Sequence, residues 1–173
     1  MSNELTTKIF SVFPGCGKTW MCEHQEAFGL KILDSDSSQF SWLYTNIDEN
    51  GNVIRGVRKI RNQNFPQNYI EHINANIGKY DYIFVSSHAS VRNALDADGI
   101  DFTIVYPEQR CQAEWIGRCF IRDRRCESGC NPELMYSNWD QWILECVEAG
   151  IAHKEIVLRP GEHLSDYFVR DIG

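Results

Sequence analysis

The stretch Phe13-Pro14-Gly15-Cys16-Gly17-Lys18-Thr19 decides how the rest of the sequence is interpreted. It follows the short apolar and β-branched run Ile9-Phe10-Ser11-Val12, which is typical of a strand, and it precedes residues 20–28, which are compatible with a helix. Gly15 and Gly17 allow backbone N–H groups to approach an anion without a Cβ in the way. The first helical turn adds unpaired N–H donors and the positive end of the helix dipole. The sequence therefore predicts a strand, a glycine turn and a helix arranged to bind an anion.

The same residues match the pattern of a P-loop, which binds the phosphates of ATP. In this pattern Lys18 reaches the β- and γ-phosphates, and the Thr19 hydroxyl binds Mg²⁺. The usual pattern begins with a glycine five residues before Gly17, where this chain has Val12. The alternative is a strand–turn–helix corner that merely contains Gly-Lys-Thr, but strand, double glycine and helix together favour ATP binding. The predicted ATP-binding residues of the turn are Pro14, Gly15, Cys16, Gly17, Lys18 and Thr19.

Length and composition indicate one globular domain over residues 1–173. A chain of 173 residues buries about 70% of its unfolded surface, so its core needs neither a disulfide nor a metal. The net charge of −7 disfavours binding to nucleic acid, because a phosphate backbone would meet mostly like charge. No apolar run has the length of a membrane span, and the polar start is not a signal peptide. We therefore expect a cytoplasmic protein that binds a small molecule.

The seven cysteines are an odd number and form no recognisable disulfide framework. Cys111, Cys119, Cys126 and Cys130 are separated by eight, seven and four residues, and these spacings fit no compact zinc site. We expect buried or half-buried thiols.

Strand and helix patterns alternate along the rest of the chain. Strands are predicted at 30–33, 80–85, 100–106 and 154–158, and helices at 66–77, 90–95, 108–125 and 164–169. A further amphipathic helix is predicted from Leu134, Trp139, Trp142, Ile143 and Val147, with its tryptophans in the core. The alternation predicts an α/β fold, in which a five-stranded parallel sheet forms the middle of a three-layer α/β/α arrangement.

Polar side chains follow two of these strands at their carboxyl ends, where open α/β folds bind ligands. Asp34 and Asp36 follow the second strand and are expected near the glycine turn. The third strand ends in Ser86-Ser87-His88, where many P-loop ATPases carry an acid that holds Mg²⁺. The missing acid disfavours a motor-type ATPase and assigns Mg²⁺ to Asp34 or Asp36. His88 and Arg92 are expected to contact substrate, although a histidine bonded to backbone fits the pattern as well.

Two regions carry arginines that suit phosphate groups. Residues 40–64 are predicted as a substrate-binding insertion that presents Arg55, Arg58 and Arg61. Residues 108–131 are predicted as a lid, with Arg118 and Arg122 four residues apart on one helix face. Such a pair would neutralise the charge that develops on a transferred phosphoryl group. Solvated surface arginines, in the lid paired with Glu108, Glu114 and Asp123, are the alternative.

With these pieces in order, the chain resembles the nucleoside monophosphate kinase branch of P-loop proteins. More narrowly, it is similar to small kinase-like proteins of phages of Gram-positive bacteria. The resemblance covers nearly the whole chain and implies a P-loop NTPase fold with an arginine-bearing lid, ATP and Mg²⁺ as cofactors, and a place in the bacterial or phage-infected host cytosol.

The resemblance also implies roles for individual residues. Asp34-Ser35-Asp36 resembles the D-x-D of shikimate and related kinases, in which the first acid works near the magnesium and the second meets the acceptor hydroxyl. Arg118 and Arg122 resemble the arginine pair that adenylate-type kinases bring from the lid onto the phosphates. The residues in the place of the loop that packs on the adenine ring are Arg159, Pro160 and Gly161.

The sequence therefore predicts a kinase that moves the γ-phosphoryl group of ATP to a nucleoside or deoxynucleoside monophosphate. A second interpretation keeps ATP but takes a hydroxyl acceptor, such as a sugar, a shikimate-like acid or a modified base in DNA. The D-x-D favours this acceptor, whereas the arginines of the insertion favour a phosphorylated one. A third interpretation, supported by Val12 and the missing acid, is a nucleotide-binding regulator without turnover. The sequence does not set the oligomeric state.

Overall fold

A computed structural model of the protein describes residues 6–43, 48–50, 60–124 and 131–171. The strands, in chain order, are β1 (Lys8–Val12), β2 (Ile32–Asp34), β3 (Trp42–Leu43), β4 (Ile60–Arg61), β5 (Tyr82–Ser86), β6 (Thr103–Pro107) and β7 (Lys154–Leu158). The α-helices are α1 (Lys18–Glu23), α2 (Ser38–Ser41), α3 (Gln67–Asn76), α4 (Ala89–Ala97), α5 (Gln112–Arg124), α6 (Pro132–Gly150) and α7 (Leu164–Asp171).

Five strands form one parallel sheet in the order β2-β5-β1-β6-β7. Phe10 of β1 lies opposite Phe84 of β5 on one side and Thr103 of β6 on the other. Four of the five residues in each of β1, β5 and β6 are buried, as expected for parallel strands covered on both faces. Helices flank the sheet, in agreement with a three-layer arrangement. The predicted α/β class and five-stranded parallel sheet are confirmed.

The chain connections open a crevice at the carboxyl edge of the sheet. The strand β1 is followed by β2 on one side of the sheet, whereas its neighbour β6 is followed by β7 on the other side. Where adjacent strands send their connections in opposite directions, open α/β sheets leave room for a ligand. The turn after β1 lies at this position, because the Phe13 N–H donates to the Val105 carbonyl of β6 at 2.8 Å.

The first helix differs from its predicted extent of 20–28. The helix α1 begins at Lys18 and ends at Glu23, and a 3₁₀ turn follows over Gln25–Phe28. The Gln25 side chain explains the break, because it donates to the Cys22 carbonyl at 2.8 Å and accepts the Ile32 N–H at 2.7 Å. Gly29 then ends the turn with a left-handed φ of 64°.

The buried face of α6 was predicted only in part. Trp139 and Ile143 are buried as expected, and the Trp139 indole N–H donates to the Gln109 carbonyl at 3.0 Å. Trp142, also predicted in the core, is only half-buried. Leu134 and Val147 of the amphipathic pattern are 52% and 46% exposed and lie outside the buried face. The buried stripe instead follows helical spacing from Met135 through Trp139, Ile143 and Cys146.

The predicted insertion and lid are described in part. In the insertion, β3 and β4 form an antiparallel pair with Trp42 opposite Arg61, whereas Arg55 and Arg58 lie outside the described residues. The region predicted as a lid has a 3₁₀ turn over Gln109–Cys111 and continues as α5, which packs against α6.

The cysteines were predicted correctly except at one described position. Cys16, Cys22, Cys111 and Cys146 are free thiols, whereas Cys119 is in a disulfide. The prediction for Cys119 was wrong because spacing along the chain does not show which side chains approach to the distance that a disulfide needs. The other two cysteines, Cys126 and Cys130, lie outside the described residues.

None of the helices within the described residues is both long and apolar enough to span a membrane.

Candidate active site

The turn between β1 and α1, residues 13–17, is called the glycine loop here. Gly15 and Gly17 have φ values of 82° and 99°, which side chains other than glycine rarely adopt. The Met21 N–H donates to the Gly17 carbonyl at 3.1 Å and begins the hydrogen bonding of α1. Cys16 is fully buried between the two glycines, and this burial raises the pKa of its thiol to about 12. The loop is thus a sharp backbone turn whose only thiol is protonated and inert at neutral pH.

A cation, a hydroxyl and a carboxylate meet beside the glycine loop. The Lys18 ammonium lies 3.8 Å from Asp34 Oδ1, and the Thr19 hydroxyl donates to Asp34 Oδ2 at 3.4 Å. The side chains of Lys18 and Asp34 are 21% and 26% exposed, so both are open to a ligand. The structure therefore brings together the three residues that the sequence assigned to phosphate and Mg²⁺.

Asp36 lies two residues beyond Asp34 and is held by the start of α2. Its Oδ1 accepts the Ser38 N–H at 2.9 Å, and its Oδ2 accepts the Ser38 hydroxyl at 2.8 Å. The preceding residue is also held, since the Ser35 N–H donates to the Phe84 carbonyl and the Tyr69 hydroxyl donates to the Ser35 carbonyl at 2.6 Å. The segment that carries both acids is therefore anchored to β5 and α3.

The guanidinium of Arg118 is engaged by the protein itself. It donates to the Gly15 carbonyl at 3.1 Å, to the Glu162 carbonyl at 2.8 Å and to the Glu114 carboxylate at 2.5 Å. Its flat face lies 3.7 Å from the ring centre of Trp115. Arg118 thus binds the backbone of the glycine loop and pairs with Glu114, and this pairing is the one that the surface-arginine alternative predicted. Its side chain is 15% exposed, so it is not a fully solvated arginine. Arg122 is half-buried one turn later on α5.

The turn that contains Arg159, Pro160 and Gly161 is exposed and lies next to the glycine loop. The Gly161 N–H donates to both carboxylate oxygens of Glu114 at 3.0 Å. The N–H of Leu164, at the start of α7, donates to the Cys16 carbonyl at 2.8 Å. The turn is therefore joined to the glycine loop through Glu114 and Arg118 of α5 and through the residue that begins α7.

His88 lies among cations at the carboxyl end of β5. Desolvation by the surrounding protein, followed by the charges of Lys18, Arg61 and Arg92, lowers the pKa of its imidazole. His88 is nevertheless exposed at its surface, so the desolvation of its ring is partial. The nearby Glu145 carboxylate acts in the opposite direction but does not reverse the shift. His88 therefore lies among three positive charges and one negative charge, and its neutral form is favoured.

The two arginines near His88 are held differently. Arg61 is exposed, and its guanidinium carbon lies 4.0 Å from the ring centre of Trp42. Arg92 is only 4% exposed and donates to the carbonyls of Ser87 and Glu145. Only Arg61 of this pair is exposed enough for direct contact with a substrate.

A cavity of about 50 Å³ adjoins the glycine loop on the side of His88. Pro14 and Ser87 line it together with His88, and Trp142 closes it from α6. The cavity is large enough for water but too small for a nucleotide base. It extends the polar edge of the site between β1 and β5.

Three residues of the site have roles that were missed at the sequence level. Trp115 packs on Gly15, Glu114 joins Arg118 to Gly161, and Tyr69 holds the backbone of Ser35. The spacing of Glu114 and Arg118, four residues apart on a helix, did indicate their pairing. Nothing in the pattern indicated that the pair would bind two distant backbone segments.

No protein-family model matches the chain, and a search of the curated proteins found no match either.

Proposed function

We propose that this protein is an ATP-dependent phosphotransferase that moves the γ-phosphoryl group to a small acceptor, a nucleoside or deoxynucleoside monophosphate. The observation that carries the proposal is the meeting of Lys18 and Thr19 at Asp34, beside a loop with two left-handed glycines. These groups suit a nucleoside triphosphate, because an ammonium and backbone N–H groups bind phosphate oxygens.

The donor set at Asp34 fits Mg²⁺. This ion prefers oxygen ligands and is commonly held by one or two carboxylates together with substrate phosphates and water. Asp34 supplies a carboxylate and Thr19 a hydroxyl, and their oxygens already lie 3.4 Å apart. When bound, the ion would offset negative charge on the phosphates.

The charges around His88 support an anionic acceptor over a neutral one. Lys18 and Arg61 both lie near enough to lower the pKa of His88, and their effect exceeds that of the Glu145 carboxylate, so an acceptor phosphate would enter a net positive field. A neutral imidazole can accept a hydrogen bond there or donate one without adding to that charge. Asp36, which follows Asp34 on the same anchored segment, would orient the acceptor group that attacks.

The chain's contribution to the transfer is positioning and charge stabilisation, which supply most of the acceleration in phosphoryl transfer. Lys18 would hold the β- and γ-phosphates, Thr19 and Asp34 the metal, and Arg61 the acceptor. Arg122 is the arginine of α5 to which we assign contact with the phosphates. We assign Arg118 no such role, since three of its five N–H donors serve Gly15, Glu162 and Glu114 and hold the guanidinium against the protein.

The test is ADP release from ATP and Mg²⁺ with a panel of nucleoside and deoxynucleoside monophosphates, sugars and shikimate-like acids. We expect release that depends on a monophosphate, and a loss of about 100-fold or more in Asp34→Asn, since preorganised charge at such a centre carries that much of the rate. Asp101→Asn, an exposed change at the amino end of β6, is the matched control.

Two results would overturn this proposal. Release that depends on a sugar or acid alone would assign a hydroxyl acceptor. Nucleotide binding without release for any member of the panel would assign a regulator.

A further inference from the structure

Two successive peptide groups of the glycine loop are anchored through their carbonyls. The Gly15 carbonyl accepts a hydrogen bond from Arg118 at 3.1 Å, and the Cys16 carbonyl accepts one from the Leu164 N–H at 2.8 Å. In a planar trans peptide the carbonyl and the following N–H point in opposite directions. The two anchors therefore direct the N–H groups of Cys16 and Gly17 away from α5 and α7.

Neither of these N–H groups donates a backbone hydrogen bond within the described residues. Successive N–H groups that point the same way form a concave anion site, known as a nest. Left-handed residues are part of this geometry, and Gly15 and Gly17 flank Cys16 with φ values of 82° and 99°. The N–H groups of Cys16 and Gly17, which have no backbone acceptor in the described part of the chain, are thus prearranged to receive a phosphate oxygen.

Arg118 is itself held in one orientation. Trp115, which is fully buried, supports the face of the guanidinium at 3.7 Å, and Glu114 binds one edge. The same guanidinium donates to the Glu162 carbonyl, so it ties the glycine loop to the turn that precedes α7. A rigid guanidinium fork can serve several acceptors at once, which a lysine ammonium cannot do with the same geometry.

We propose that Arg118 is a positioning residue, which aims the backbone donors of the glycine loop at a phosphate by holding the Gly15 carbonyl. It acts through the loop and does not touch the transferred group. The inference rests on the proposed function for its effect on nucleotide binding, but the anchoring of the loop can be measured on the protein without nucleotide.

The experiment compares Arg118→Ala and Arg118→Lys with the wild type. For Arg118→Ala we expect the dissociation constant for ADP with Mg²⁺ and the KM for ATP to rise about tenfold or more, because a site that is no longer prearranged binds more weakly. The kcat at saturating ATP should stay within about threefold of wild type. The glycine loop binds the substrate and the transition state alike, and the loss of such uniform binding raises KM without lowering kcat. Arg118→Lys keeps the charge and the aliphatic stem and should restore only part of the affinity. Arg110→Ala, an exposed arginine just before α5 that pairs with Glu108, is the control.

A second readout needs no ligand. Amide hydrogen exchange at Leu164, whose N–H donates to the Cys16 carbonyl at 2.8 Å, should accelerate in Arg118→Ala when it is measured by NMR on the free protein well below the unfolding temperature. Unchanged exchange would overturn the anchor, whatever the enzyme does. If Arg118→Ala does not fold, Arg118→Lys carries the same test, and full affinity in that variant counts against the proposal.

The remaining outcomes distinguish the positioning role of Arg118 from the proposed phosphotransferase function. A kcat that falls by about a thousandfold with unchanged ADP affinity would make Arg118 a catalytic residue and overturn the inference, because that is the signature of an arginine on the moving phosphoryl group. A lower unfolding temperature with normal affinity and exchange would make it purely structural. A wild-type protein that binds no ADP would overturn the proposed function, while accelerated exchange in Arg118→Ala would still uphold the anchor.

Discussion

His88 shows how single charges set the chemistry of the proposed site. Its pKa lies below the ordinary value of 6.5 because the surroundings desolvate the ring and because Lys18, Arg61 and Arg92 oppose a fourth positive charge. A lowered histidine pKa means that the unfolded chain binds the proton first as the pH falls. His88 thus contributes stability that is present above about pH 6.5 and is lost below it, an effect that solvent screening keeps small at this exposed position.

The same cations make the His88 pKa sensitive to a bound anion. Phosphates near Lys18 and Arg61 would offset their charges, so we expect the His88 pKa to rise when ADP and Mg²⁺ are added. Its C–H resonances in an NMR titration, assigned by comparison with His88→Gln, report the value in both states. An identical pKa with and without ADP would contradict a phosphate at this edge of the sheet. Arg61→Ala should raise the pKa in the free protein by removing one of the opposing charges.

At Val12, comparison with the usual P-loop pattern predicts a residue of the turn, but the structure places it in a strand. It stands where the usual pattern has glycine, yet it is the last residue of β1, 1% exposed and paired with Ser86 and Val105. At this place the backbone continues a strand, which a β-branched residue suits better than glycine does. The departure from the pattern therefore belongs to the core of the sheet and not to the turn.

At the scale of elements, the glycine loop depends on its packing against α5. A Cβ on Gly15 would lie 3.1 Å from Trp115 Cδ1, and φ is 82°. Gly29 has a left-handed φ of 64° but nothing within 4 Å of an added Cβ. An alanine at Gly29 therefore measures the free-energy cost of the left-handed backbone without a steric contact. We expect Gly29→Ala to cost about 1–2 kcal/mol from the left-handed backbone alone. Gly15→Ala should cost more and should also weaken ADP binding.

The two alanine variants are compared by urea unfolding and by ADP titration. If Gly15→Ala and Gly29→Ala lose the same free energy of unfolding, the Trp115 side chain moves away from the added methyl group without an energetic penalty. Normal ADP affinity in Gly15→Ala would contradict the dependence of the loop on α5.

At the scale of the whole molecule, the buried guanidinium of Arg92 connects separate elements of the fold. It is buried on α4 and donates to the carbonyl of Ser87, just after β5, and to the carbonyl of Glu145 on α6. Removing a buried donor leaves its acceptors unpaired, at a cost of about 1–3 kcal/mol.

We therefore expect Arg92→Met, which preserves most of the side-chain volume, to lower the free energy of unfolding by about 1–3 kcal/mol. ADP affinity measured well below the unfolding temperature should remain near that of the wild type. Arg110→Met, at an exposed ion pair, should change stability by less than about 1 kcal/mol. A large loss of affinity in Arg92→Met with unchanged stability would return Arg92 to the substrate-binding residues that the sequence predicted.

The hydrophobic pattern of each short segment was enough to predict the order of strands and helices along the chain. Strand-like runs of four to seven residues, separated by helical periodicity, predicted all five strands of the parallel sheet. The sequence pattern did not show which apolar side chains of an amphipathic helix face the sheet. On α6, Leu134 and Val147 are apolar but face outward, since the sheet is met by the stripe that runs from Met135 to Cys146.

The sequence by itself determined the fold class and the identity of the loop residues, because strand and helix periodicity and the placement of glycine are local properties of the chain. It also placed Asp34 near Lys18 and Thr19, since parallel strands bring their carboxyl ends to one edge. Only the tertiary structure decided which acceptors the arginine side chains bind. A guanidinium bonds to whichever acceptors the fold brings within reach, and for Arg118 these are the carbonyls of Gly15 and Glu162, 103 and 44 residues away along the chain.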